Sequence, residues 1–222
     1  MVLGLFGGDD HPFRALLTSL LGDGASSLLE RRRFRGKPGA CVSFDRPGAM
    51  PASLTLVGLG APERFELAGL RTATALGVKA AARLGCRQIG LLLPVEGLLP
   101  EAAAAAMGEA ARLGLYSDHR YRSEPDPDLR PERCTLLGLP SGAEAGLEGI
   151  DAVCAGVELA RQLVASPPNR GTPEALAAEA AAIASTYGLA LTVLERSDCE
   201  ALGMGAYLGA VSYTHLTLPT KA

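Results

Sequence analysis

No stretch of the chain stays apolar for the about 18 residues that a membrane-crossing helix needs, and no basic segment precedes the apolar start "VLGLF", which stops at Asp9 and Asp10. The reading is therefore neither a membrane span nor a secretory leader. A basic surplus is also missing: net charge is -3 over 222 residues. Proteins that live by gripping phosphate backbones usually carry an excess of Lys and Arg, so wholesale nucleic-acid binding is disfavoured. Cys-x-x-Cys pairs are absent too. The five cysteines, Cys41, Cys86, Cys134, Cys154 and Cys199, are widely spaced and odd in number, which predicts reduced, mostly buried thiols in a cytoplasmic protein rather than a disulfide framework or a zinc site. Histidine is scarce, with three in all, and this leaves little room for His-based catalysis.

What is present is the composition of one or two folded domains, 48% hydrophobic and 20% charged with 27 glycines, which argues against disorder. Short apolar runs at 2–6, 40–44, 52–60, 87–94, 133–140 and 189–195 predict strands. In the third of these, Leu54, Leu56 and Gly58 alternate with Thr55 and Val57. Helical spacing predicts a helix near 13–22 and another over 64–84, where Leu67, Leu70, Val78 and Ala81 share a stripe with one polar member, Thr74. Pro100 stands where it can open a helix that runs on to Leu115, because its missing N–H is unneeded there.

A long helix is predicted over 147–166, with Ile150, Val153, Val157, Ala160 and Val164 on one apolar line, and Pro167-Pro168 ends it. Thr172 and Pro173 start the next helix, whose expected buried face is Leu176, Ala180, Ile183 and Tyr187. Ser197 and Glu200 have capping-box spacing for a last short helix. Strands alternating with helices predict an α/β fold with a largely parallel or mixed sheet. The expected organisation is a first domain over 1–146, a linker helix over 147–166 and a second, incomplete domain over 167–211.

Three constellations could carry chemistry. "VGLGAPERF" (57–65) follows a strand, yet Glu63 stands where a dinucleotide loop needs glycine, and the Gly-Lys-Ser/Thr of a phosphate loop is missing; a plain turn is the reading. "RRRFRGK" places Arg31, Arg32, Arg33, Arg35 and Lys37 within seven positions. That run either contacts phosphate or is a solvated loop. In "YSDHRYRSEP", Asp118 and His119 sit among Arg120 and Arg122, and the two arginines oppose a bound cation. An ion-paired structural segment is the expectation there. His11 and His215 have no acidic or Cys neighbour at ligand spacing. Residue by residue, then, no catalytic, cofactor-binding or metal-ligating residue is assigned.

The segment 158–211 is specific in another way. Ala160, Arg161, Leu163 and Val164, then Pro167, Asn169, Thr172 and Pro173, then Gly203, Met204, Gly205, Ala206 and Leu208 follow one pattern. It resembles the opening of the catalytic domain of the leucyl (cytosol) aminopeptidases, with Ala165 departing from the usual Asn. Upstream, "LTLVGLGAPERFELAGLRTATALGVKAAARLG" and "GLYSDHRYRSEP" are similar to that family's N-terminal domain. The resemblance implies a macro-like N-terminal α/β domain and a two-metal exopeptidase, using Mn or Zn, that releases N-terminal amino acids from peptides. It also implies a hexamer in the intact protein and, in some bacterial relatives, DNA binding. The family's metal-binding and catalytic motifs resemble Val-Gly-Lys-Gly-x-x-x-Asp-Ser-Gly-Gly and Asn-Thr-Asp-Ala-Glu-Gly-Arg, and neither occurs in this sequence. From Ser212 the usage changes to "SYTHLTLPTKA"; the expectation for 212–222 is a foreign or adapter-derived tail, which removes His215 from the candidates.

Overall fold

The computed structural model describes residues 1–8, 13–124 and 130–212. The expectations attached to His11 and to the tail beyond Ser212 lie outside the described residues. The chain forms two compact units, one spanning Met1–Gln162 and the other beginning at Leu163.

The first unit is built on one sheet. Its strands are β1 (Val2–Phe6), β2 (Cys41–Asp45), β3 (Ser53–Gly60), β4 (Gln88–Leu92) and β5 (Arg133–Leu137), in the order β2-β3-β1-β4-β5. β1 is parallel to both β3 and β4, β4 is parallel to β5, and β2 alone runs antiparallel, against β3. The expected mixed α/β sheet is what forms.

Burial on both faces explains why these strands read as continuous apolar runs. Leu3, Leu5, Leu54 and Leu56 pack on one face with Leu17, Ala25, Phe34 and Phe44. Val2, Val57, Ile89 and Leu91 pack on the other with Leu70, Val78 and Met107. The alternation expected in β3 therefore has no exposed partner set: Thr55 and Val57 are as buried as the leucines, at 1% and 0% exposure. The Thr55 hydroxyl keeps a partner by lying 3.0 Å from the Ser43 hydroxyl on β2.

Helices cover both faces. α1 (Arg14–Leu21) and α2 (Ala25–Arg31) precede β2, and α2 has no counterpart among the helices expected from periodicity. α3 (Leu67–Arg83) links β3 to β4, stepping over β1, and α4 (Pro100–Gly114) links β4 to β5. Pro100 opens α4 as expected. Thr74, the polar member of the α3 stripe, is fully buried and donates 2.8 Å to the Leu70 carbonyl, so its burial costs little. α4 presents Ala103, Ala104, Ala106, Ala110 and Ala111 to its neighbours, and such small side chains let helices approach closely.

A short 3-10 turn, Ala143–Leu147, leads into α5 (Ile150–Val164). Only Cys154 of α5 is fully buried, while Val153 and Val164 of the expected apolar line are 53% and 87% exposed. Polar clamps from α4 and the segment after it decide which side of the helix docks.

The second unit contains α6 (Pro173–Tyr187), α7 (Arg196–Ala201) and α8 (Gly205–Ser212). Thr172 caps α6 by accepting the Ala175 N–H at 3.2 Å, and Gly188 closes it at φ +65. The expected buried face of α6 is open, with Leu176, Ile183 and Tyr187 at 48%, 36% and 70% exposure. Residues 189–195 form no strand. A strand needs a partner edge, and no described strand pairs with this one; Leu189, Leu191 and Val193 are left exposed. The α7 cap also differs from expectation. Glu195 and Asp198 make the reciprocal capping box, with the Glu195 N–H donating 2.9 Å to the Asp198 carboxylate, and Glu200 instead pairs with Arg196.

No described helix is long and apolar enough to cross a membrane. Limited proteolysis is expected to trim the chain toward roughly residues 1–166, and uniform resistance through residue 211 would contradict this. Gly36 has φ +65, and a Cβ there would run into the Phe6 carbonyl. Gly36→Ala should lower stability by at least about 2 kcal/mol in urea titration of the sheet-containing unit.

Candidate functional site

The glycine-rich turn after β3 uses its amides on the protein itself. Gly58 N–H donates to the Ala40 carbonyl, Gly60 N–H to Gly36 and Gly7 N–H to Gly60, each at 2.8 Å. The amides of Gly58 and Gly60 are thus occupied by backbone carbonyls rather than open to a phosphate, and the chain continues into a 3-10 turn at Pro62–Arg64. The turn is structural, fastening the segment after the basic run to the ends of β1 and β3.

The basic run is correspondingly well built. Arg31 ends α2, Arg33 adopts φ 54, and Phe34 is anchored in the core at 8% exposure. The Arg32 guanidinium lies 5.8 Å from the Phe44 ring centre. Arg31, Arg32, Arg33, Arg35 and Lys37 are all exposed, and among the described residues none of them has a carboxylate at ion-pair distance. A cavity of about 600 Å³ lies beside them, walled in part by Leu17, Ala25 and Phe34 and rimmed by Arg33 and Arg35.

The larger cleft, about 960 Å³, opens where α4, the 115–120 segment, β5 and α5 meet, entirely within the first unit. Two ion-pair networks frame it. Asp118 accepts from Arg120 Nε at 2.9 Å, from Nη2 at 2.7 Å and from the Arg120 backbone N–H at 3.1 Å. Those bonds, side chain first and backbone second, hold the Asp118 carboxyl down at about 2. Arg120 Nη2 also donates 2.6 Å to the Gln162 carbonyl.

Arg112 forks onto Glu158 at 3.0 and 3.1 Å and reaches the Asp151 carboxylate at 2.7 Å. Its guanidinium is pushed further toward the charged form, chiefly by the Glu158 bonds. Arg161 donates 3.1 Å to the Leu113 carbonyl and lies 5.4 Å from the Tyr116 ring centre. Together these contacts pin α5 along Asp151, Glu158 and Gln162, a side of the helix on which Val153 does not lie, so that Val153 stays exposed while Ile150 and Val157 are partly buried. Two polar atoms in the cleft are buried without a hydrogen-bond partner: Tyr116 Oη and His119 Nδ1.

Sequence reasoning singles out Asp118, His119 and Arg120 but misses Arg112, Tyr116 and Glu158. Arg112 and Glu158 are 46 residues apart, and no local signal joins them. Arg122 has an interaction partner of its own. The donor set does not fit a pair of divalent metals: the Asp118 carboxylate is taken up by Arg120, and among the described residues no three His, Cys, Asp or Glu side chains gather at one place. The five cysteines are free thiols; Cys154 and Cys199 are buried, Cys86 and Cys134 partly so, and Cys41 is exposed, so the set is less buried than the mostly buried thiols expected. Arg120→Ala should return the Asp118 carboxyl from about 2 toward the ordinary carboxylate range near 3.8, readable by carboxyl-carbon NMR; an unmoved titration would refute the pairing.

Two profiles of one family match the chain in order. The cytosol aminopeptidase family N-terminal domain matches residues 2–125, and the catalytic domain of the same family matches 158–214. A probable cytosol aminopeptidase of Parasynechococcus marenigrum (strain WH8102) is 50% identical over 209 residues, covering 94% of this chain and 42% of the relative. A second, from Synechococcus sp. (strain CC9902), is 47% identical over 210 residues with the same coverage of both chains. Among solved structures, a tomato leucine aminopeptidase point mutant superposes with TM-score 0.81 at 32% identity, over 93% of this chain and 44% of that one. The bottromycin maturation enzyme BotP, solved with Mn, superposes with TM-score 0.69 at 26% identity, over 91% of this chain and 40% of BotP. This chain thus spans 42% of the length of the curated relatives named here. With the N-terminal domain profile alone covering more than half of it, the chain belongs to the cytosol aminopeptidase family.

Proposed function

We propose that this chain supplies the N-terminal domain and the opening of the catalytic domain of a cytoplasmic, two-metal aminopeptidase that releases N-terminal residues from peptides. The organisation that goes with this reading is an N-terminal domain over 1–146, a linker helix over 147–166 and catalytic-domain sequence over 167–211. The observation that carries it is the ordered match of both family domains along one chain. Such chemistry would need several carboxylates converging on two Mn or Zn ions, which would serve as Lewis acids. No residue of this chain is assigned that role, since the motifs resembling the family's catalytic ones do not occur in its sequence. The intact protein would then be a homo-hexamer.

Two assays test this. The 222-residue chain should show no metal-dependent hydrolysis of a leucine anilide with Mn²⁺ or Zn²⁺, and clear turnover would refute its inactivity. Residues 1–211 exchanged for the matching part of the Parasynechococcus relative should give a metal-dependent aminopeptidase. A folded but inactive chimera would overturn the family function for this segment.

A second reading, a module for assembly or nucleic-acid binding, draws on one observation: the exposed cations at Arg31, Arg32, Arg33, Arg35 and Lys37 lack carboxylate partners among the described residues. Salt-dependent retention on duplex DNA, weakened when Arg31, Arg32, Arg33 and Arg35 are replaced, is the result that would favour it, and salt-independent passage would dismiss it.

A further inference from the structure

We propose that the cavity at the carboxyl end of β1, bordered by α1, α2 and the 33–36 segment, binds a small organic phosphate monoester through Arg33 and Arg35. The inference rests on neither reading above, and every residue lining the cavity belongs to the first unit. Its place follows from the topology. β1 leads into α1 and α2, which pack with Leu3 and Leu5. The strands on either side of it, β3 and β4, lead into α3 and α4 on the opposite face. Where neighbouring connections leave a parallel sheet toward opposite faces, a crevice opens at the carboxyl ends of the strands, the usual ligand position in open α/β sheets. Phe6 and Gly8 put the cavity at that end of β1. Its volume, about 600 Å³, lies within the roughly 300–1,000 Å³ of small-molecule pockets and exceeds what a bare phosphate ion fills.

The charge of the lining selects an anion. Arg14, Arg33 and Arg35 line the cavity against one carboxylate, Glu30, an excess of two positive charges among the described residues. Arg14 has a partner of its own. Arg33 and Arg35 are solvent-exposed, and among the described residues neither has a carboxylate at ion-pair distance. They stand two positions apart, so their Cα atoms are separated by at most about 7 Å and both guanidiniums can reach one phosphate. A phosphate monoester carries close to two negative charges at neutral pH, and arginine forks onto its oxygens with parallel N–H···O bonds. Leu29, only half-buried, gives the organic body an apolar contact.

The backbone holds Arg33 in a conformation that arginine rarely adopts. At the end of α2 the Phe34 N–H donates to the Leu29 carbonyl and the Arg33 N–H to the Glu30 carbonyl, both at 2.9 Å. Arg33 fills the left-handed position of this cap, at φ 54, where glycine is the ordinary occupant. Among the described residues it is the one non-glycine with positive φ. Phe34 is buried beside it, and the Gly36 carbonyl accepts the Gly60 N–H at 2.8 Å. The backbone that carries both arginines is therefore fixed on each side, as a preorganised anion contact requires.

Arg31 and Arg32 provide the control, because neither lines the cavity and Arg32 lies near the Phe44 ring instead. The test titrates phenyl phosphate, inorganic phosphate and neutral benzyl alcohol into the 222-residue chain and follows amide shifts over residues 26–36. Phenyl phosphate is expected to bind saturably with Kd of about 1 mM, and the other two at least about tenfold more weakly. Arg33→Gly should weaken phenyl phosphate about tenfold while the thermal midpoint holds or rises, since glycine relieves the left-handed strain. Binding lost from a chain of undiminished stability cannot be ascribed to unfolding. Arg35→Gln should also cost about tenfold, whereas Arg31→Gln and Arg32→Gln should change affinity by less than about twofold. Ser26→Trp, at an exposed position lining the cavity, should abolish binding by filling it. Four results would each overturn the proposal: no saturable shift at about 10 mM phenyl phosphate, equal affinity for either control probe, full affinity in both Arg33→Gly and Arg35→Gln, or equal weakening by Arg31→Gln and Arg32→Gln. The last would return the arginines to a diffuse surface of the kind that meets nucleic acid.

Discussion

The structure of the first unit depends on the burial of one five-residue strand. Val2–Phe6 is paired on both edges, by β3 and β4, and covered on both faces, so Val2, Leu3 and Leu5 are at most 1% exposed. Its side chains alternate between two cores, Val2 toward α3 and α4, Leu3 and Leu5 toward α1 and α2. A strand placed this way has no solvent side, which is why its neighbours are apolar along their length and why Thr55 needs the Ser43 hydroxyl. The close approach continues past the end of the strand. Gly7, Gly36 and Gly60 join the loops there by short backbone bonds, and a Cβ at Gly36 or Gly60 would collide with the neighbouring chain. The exposed cations of residues 31–37 are carried on that scaffold, with Phe34 as their anchor.

A second constraint is electrostatic. Arg112, Arg120 and Arg161 tie α5 to the end of α4 and to the segment after it. Bidentate arginine–carboxylate pairs are directional, so they fix the rotation of α5 about its axis as well as its position. The outcome is an arginine-framed edge turned inward, with Val153 left exposed on the other side. The same clamps border the cleft that Tyr116 and His119 help line.

Much of this is legible in the residues. Pro100, the Thr172–Pro173 cap and the strand runs at 2–6, 87–94 and 133–140 are local signals, read by the backbone within a few positions, and the elements begin where those residues stand. The family membership is legible too, in the spacing of Arg161, Asn169, Thr172 and Gly203–Gly205. The failures share one cause. Residues 189–195 have strand composition, but a strand is completed by hydrogen bonds from elsewhere and the described residues supply none. The α5 stripe has helical periodicity, but periodicity says which residues share a face and not what that face meets. At α7 two capping boxes overlap in the sequence, and the backbone took Glu195–Asp198 over Ser197–Glu200.

By itself, then, the sequence determined the five strands of the sheet, most of the helices, the mixed α/β class and the family, because each depends on residue type at short spacing, while α2 and the missing strand at 189–195 escaped it. Tertiary structure alone decided that Arg112 meets Glu158 across 46 residues, that Arg120 reaches Gln162 across 42, and that Thr55 is buried rather than exposed. It also decided that Tyr116 and His119 line a common cleft. Those pairings arise only when helices separated in the chain are brought side by side by burial of the sheet, and no local pattern encodes which surfaces will then face each other.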